Sequence, residues 1–184
     1  MIFTLRVDIK RRLLYLVIGI AVFVVAYYIG TVVDLTNYRT QADKVSQEFN
    51  DNVRDIDRNG IFLNNFGITL RMFIPAIGIG YGISTGYSTG FVSMAIAESS
   101  PHLSSLTPFS DLIKPFGFME IVAYGLAISR SGILAYHLIK RRYWRDWVIP
   151  TVMEIGTIAM ILIIAATIEW NTITGIMASH HHLP

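Results

Sequence analysis

Apolar and polar positions alternate along this chain in blocks, with long uncharged stretches separated by short charged ones. Leu13–Val33 holds 21 uncharged residues. At about 1.5 Å per residue it reaches about 31 Å, the thickness of one bilayer core. Three further apolar blocks predict spans over Phe73–Ala97, Phe118–Leu138 and Trp147–Glu169. Trp147 and Trp170 bracket the last of these, as interfacial aromatic belts do. Leu13–Val33 is too long for the apolar region of a cleaved leader and reads as a retained anchor.

The block between the first two spans has a different period. Val45, Phe49, Val53 and Ile56 recur at helical spacing among six acids and four bases in Asp34–Gly60. That pattern predicts an amphipathic, extramembrane helix within 34–60, lying on the bilayer, over the bundle or against a partner.

Charge changes the picture twice. First, only 15% of the 184 residues are charged, against about 25% in soluble domains. Of the 28 charges, 20 fall in residues 1–12, Asp34–Gly60 and Ile139–Asp146. This segregation excludes an ordinary soluble enzyme, a disordered tail and a nucleic-acid binder, and leaves an all-α, polytopic transmembrane helical bundle forming one membrane domain. Second, the two basic clusters, Lys10-Arg11-Arg12 and Lys140-Arg141-Arg142 with Arg145, disagree with the span count. The positive-inside rule puts both in the cytoplasm, with the N-terminus. That needs an even number of crossings between them, whereas the apolar blocks supply three. Four spans, with one long bent helix through Phe73–Ala97, is the favoured reading. The alternative makes Ile61–Ala97 a re-entrant or broken hairpin and gives five crossings.

Inside the spans, Gly78, Gly82, Gly86 and Gly90 form a ladder on one helix face, suited to close helix packing or self-association. Intramembrane charges require partners or roles. Arg130 and Glu154 lie twelve residues either side of the middle of the Ile139–Asp146 loop. An antiparallel hairpin brings them to one depth, predicting an ion pair that aligns two helices. Glu120 is too far along the same helix to meet Arg130. Folding about the loop near Leu106 sets it opposite Gly86–Gly90, where Ser88 or Thr89 can bond it, either as a buried structural carboxyl or as a proton or ion site.

The same residues carry a family likeness. Asn64-Asn65, a glycine-rich helix ending Thr89-Gly90, Pro115-Phe116-Gly117-Phe118-Met119-Glu120 and then Gly132 resemble the stage II sporulation protein M family over about residues 62–138. That family's pattern is an Asn-Asn pair, a Gly-rich span, an Asn-Gly, and a Pro-His-Gly-x-x-Glu entering the next helix. Thr89 stands here for the Asn and Phe116 for the His, so the resemblance supports fold more than activity. It implies a small multispanning membrane protein without known catalytic activity, whose bacterial namesake works in a membrane complex with cell-wall hydrolases. It singles out Asn64, Asn65, Gly90, Pro115, Gly117 and Glu120. Asn64 and Asn65 also suit a helix cap at the interface.

No other chemistry stands out. Without cysteine there is no thiol chemistry. His180–His182 read as a solvated tail, and His102 and His137 lack carboxylates at ligand spacing, so neither a metal nor a cofactor is expected. The expected role is non-enzymatic: a scaffold or assembly subunit whose partners are the lipid bilayer and other membrane subunits or its own copies. Two alternatives are an accessory subunit of a larger respiratory or monooxygenase-type enzyme, and a small transporter or channel using Glu120.

Overall fold

The computed structural model describes residues 9–32, 57–99, 109–141 and 143–180, without the side chains of 98, 99, 111 and 176–180. The predicted amphipathic stripe Val45–Ile56, His102, His181 and His182 fall outside them. Among the described residues every regular element is helical: α1 (Ile9–Thr31), α2 (Arg58–Met72), α3 (Ile77–Ser99), the single turn α4 (Ser110–Ile113), α5 (Pro115–Ile139) and α6 (Arg145–His180). Three of these, α1, α5 and α6, are long and apolar enough to cross a membrane.

Local chemistry explains where the helices begin. Asp57 caps α2, its carboxylate accepting from the Gly60 N–H at 2.7 Å, which satisfies one of the otherwise unbonded amides of the first turn. Pro115 opens α5, where its missing N–H is not needed.

The favoured helix through Phe73–Ala97 forms from Ile77 to Ser99 but does not extend back through Phe73–Ala76. Met72 ends α2, Phe73–Ala76 turn, and α3 starts only at Ile77. Pro75 has no N–H to continue a helical ladder. Ala76 sits at φ 63°, a left-handed conformation that reverses the chain at a cost of about 1 kcal/mol or more. α5 holds this turn from both sides. The Ser131 hydroxyl donates to the Ile74 carbonyl at 2.6 Å, and the Ala76 N–H reaches the Ser131 carbonyl at 3.5 Å. Ser131 itself is fully buried. Three helices are thus long and apolar enough to cross a membrane, with an α2–α3 hairpin packed beside them, and the count of four spans is not confirmed.

Pairwise contacts fix the directions. Phe23 lies on Gly86 and Tyr27 on Gly90, so α1 and α3 run parallel. Gly19 meets Gly125 while Phe23 meets Tyr124 at 5.1 Å between ring centroids, so α5 runs against α1. Asn65 pairs with Glu120 and Ile74 with Ser131, so α2 follows α5. Consequently the start of α1, the α2–α3 turn, the end of α5 and the start of α6 share one end of the bundle. Lys10, Arg11 and Arg12 lie there with Lys140, Arg141 and Arg145. The turn is level with Ser131, eight residues and about 12 Å short of the end of α5.

α5 is the central helix, with half of its spanning window buried against 17% for α6. Phe23, Met72, Phe73, Ile121, Tyr124, Ile128, Ile158 and Leu162 meet in the core around it. Leu13, Val17, Ile18, Val25 and Ile29 of α1 face outward, as do Val152, Met160, Ile163 and Ile164 of α6. Such faces suit hydrocarbon rather than water.

Candidate functional site: two polar layers in the bundle

The first layer is ionic and joins three helices. Arg130 of α5 donates through Nε to Glu154 Oε2 at 2.8 Å and through Nη2 to Oε1. Arg12 of α1 donates through Nε to Oε1 at 2.6 Å and through Nη2 to Oε2 at 2.7 Å. Glu154 thus accepts four charge-assisted bonds, about the full capacity of a carboxylate. Arg12 also reaches the Ser129 hydroxyl at 2.7 Å and the Leu126 carbonyl at 3.2 Å. All three charged side chains are largely buried, with exposures of 8% for Arg130, 15% for Arg12 and 18% for Glu154. One excess positive charge remains in the layer.

The loop arithmetic brings Arg130 and Glu154 together, but it does not reveal Arg12, which looks like one more member of the basic cluster. A signal was present. Arg12 shares a face of α1 with Gly19, Phe23, Ala26 and Gly30, all buried, at helical spacings of seven, four, three and four. Lys10 and Arg11 lie off that face and are exposed.

The second layer lies ten residues earlier on α5, about 15 Å away. The Asn65 side-chain amide of α2 donates to Glu120 Oε1. Asn64, exposed, donates to Asn65 Oδ1 at 3.3 Å, and the buried Thr69 hydroxyl donates to the Asn65 carbonyl at 2.7 Å. The buried Tyr124 phenol, one turn along α5, lies in the electrostatic field of both Glu120 and Glu169. Neither Asn64 nor Asn65 caps a helix, since both sit within α2.

Ser88 and Thr89 do not join this layer. Both are exposed, and the Thr89 hydroxyl donates to the Thr85 carbonyl one turn back at 2.8 Å. At that depth the glycine face is occupied by α1 rather than α5. A Cβ on Gly90 would stand 2.1 Å from the Tyr27 carbonyl oxygen, and one on Gly86 2.8 Å from that of Phe23. α5 meets α3 nearer the turn, where Ile128 fills the space at Gly82, and Gly78 lies against the Met72 carbonyl. All four ladder glycines are therefore enclosed by their own chain, leaving no face there for a second copy.

With the fold and both layers in view, the sequence matches the family described as Stage II sporulation protein M over residues 13–171, most of the chain. This chain belongs to that family. The match extends well beyond the motif region, into α1 and α6. No curated protein and no solved structure matches it. The positions that the family likeness singled out are far apart in sequence, yet Asn65 and Glu120 meet directly. Gly117 is buried at the start of α5, and Gly90 seats α1. Phe116, standing where the family pattern has His, places its ring 5.7 Å from the Lys114 ammonium.

Among the described residues, no three His, Asp or Glu side chains gather as metal ligands would. His137 sits in the last turn of α5, and His180 closes α6.

Proposed function

We propose that this member of the family is a non-enzymatic membrane scaffold, a subunit that assembles with other membrane proteins. The observation carrying this reading is the filled Glu154 carboxylate. Its acceptor sites are taken by two arginines from two other helices, which suits a fixed brace better than a group that must exchange protons or ions during transport. The outward apolar faces of α1 and α6 supply surface for lipid and for partner helices.

The bundle's polarity supports a cytoplasmic N-terminus. Both basic clusters share one end, and an α2–α3 hairpin entering from the opposite side and returning to it makes the number of passes between them even. In this reading the hairpin is re-entrant, and the end of α1, the start of α2, the end of α3 and the start of α5 lie on the far side of the membrane.

Gentle isolation in polymer-bounded native membrane discs, followed by mass spectrometry, tests the scaffold. A fixed-stoichiometry set of non-catalytic membrane partners is the expected result. A constant large enzyme would make the chain an accessory subunit instead. A lone chain that supports ion flux in liposomes, abolished by Glu120→Gln, would replace both readings with a transporter.

A further inference from the structure

A groove opens on the side of the bundle between α1 and α5, with Ile79 of α3 at its back. It encloses about 440 Å³, within the range of small-molecule sites. Its character changes along its length. Ile79 and Gly132 form an apolar floor, whereas Arg11, Tyr15, Tyr136 and His137 line the end nearest the two basic clusters. Gly132 opens this floor. A Cβ there would meet only the tip of Ile79 at 3.7 Å, an ordinary contact, so the space over Gly132 is open.

We propose that this groove binds one anionic phospholipid, with an acyl chain along the Ile79–Gly132 floor and the phosphate at Arg11. A trough that is apolar at bilayer depth and cationic at its interfacial end matches the long axis of a phospholipid. Basic pockets between spanning helices bind anionic headgroups by the same complementarity. Tyrosines suit the headgroup level, where the ring is embedded and the hydroxyl is wet. The positive end also disfavours a second copy as occupant. A copy related by an axis along the bundle would bring its own Arg11 toward this one.

The test is native mass spectrometry of the full chain released from detergent, titrated with phosphatidylglycerol or phosphatidylcholine of matched acyl chains. One phosphatidylglycerol should be retained per chain, preferred by about fivefold or more, the gain one interfacial cation provides. Arg11→Gln should abolish the preference while leaving weaker binding of both lipids. Gly132→Leu, which fills the floor, should remove both, whereas Gly132→Ala should behave as the parent and controls for folding. Equal retention of the two lipids by the parent chain would overturn the proposal. So would undiminished phosphatidylglycerol binding by Gly132→Leu, or by Arg11→Gln. A dimer that Gly132→Leu dissociates, with no lipid retained, would assign the groove to a second copy.

Discussion

Arg12 of α1 and Glu154 of α6, 142 positions apart in the chain, are joined by hydrogen bonds of 2.6 and 2.7 Å. Arg130 of α5 reaches the same carboxylate from the other side. The first, fifth and sixth helices are thereby pinned at one depth, and the three charges are not equivalent. Glu154→Gln leaves two largely buried arginines without a counter-charge, whereas loss of either arginine leaves a neutral pair. Glu154→Gln should therefore be the most damaging single change, by about 3–5 kcal/mol, and Arg12→Gln distinctly milder. Thermal unfolding of the purified variants in one detergent gives the ranking. Equal effects from all three would break the account, as would an Arg12–Glu154 double-mutant cycle showing no coupling.

The glycines divide into two classes by what surrounds them. Gly90→Ala and Gly30→Ala each push a methyl to 2.1 Å from a backbone carbonyl of the facing helix, Tyr27 in one case and Tyr87 in the other. Each should separate α1 from α3 and cost about 1–3 kcal/mol or more. Gly80, on the same helix, has nothing within 4 Å. Gly80→Ala should be neutral or stabilise by up to about 1 kcal/mol through helix propensity alone. Unfolding midpoints decide this, and size-exclusion profiles add a second reading. Loss of folded protein is expected at Gly90, not conversion of an oligomer into folded monomers.

At the second layer, Asn65→Leu removes a donor from a half-buried carboxylate, while Glu120→Gln keeps a partner for Asn65. The first should cost about 1–3 kcal/mol and the second less than about 1 kcal/mol. A larger loss for Glu120→Gln in the same melts would show that the negative charge itself, rather than the hydrogen bond, stabilises this contact.

Because the chain has no cysteine, single cysteines report sidedness cleanly. Cysteines at Lys10, Ser99, Ser110 and Lys140 should separate into two groups, Lys10 and Lys140 labelled by an impermeant maleimide from one face and Ser99 and Ser110 from the other. A single crossing through Phe73–Ala97 predicts instead that Lys10 labels from the same face as Ser99 and Ser110, opposite Lys140. Labelling of Lys10 and Lys140 from opposite faces would remove the hairpin.

The sequence by itself determined the class and most of the framework. Charge segregation and four apolar blocks require a helical membrane bundle, because hydrocarbon offers no partners to an open backbone. The position of the α5–α6 loop was enough to bring Arg130 and Glu154 to one level, since rise per residue is constant along two antiparallel helices. Two features were beyond its reach. α2, with Asn59, Asn64, Asn65 and Arg71 in fifteen residues, is too polar to read as a membrane helix. Its polarity makes sense only once Asn65 faces Glu120 and Arg71 reaches the Tyr81 hydroxyl at 3.0 Å. Which face of the glycine ladder meets which neighbour was the other. Glycine spacing says that some backbone comes close but not whose. Tertiary structure decided for α1, because the chain turns back at Pro75–Ala76 and lays α3 alongside it. That same turn sends Glu120 to Asn65 instead of Ser88 and Thr89, since depth follows from sequence position whereas azimuth follows from packing.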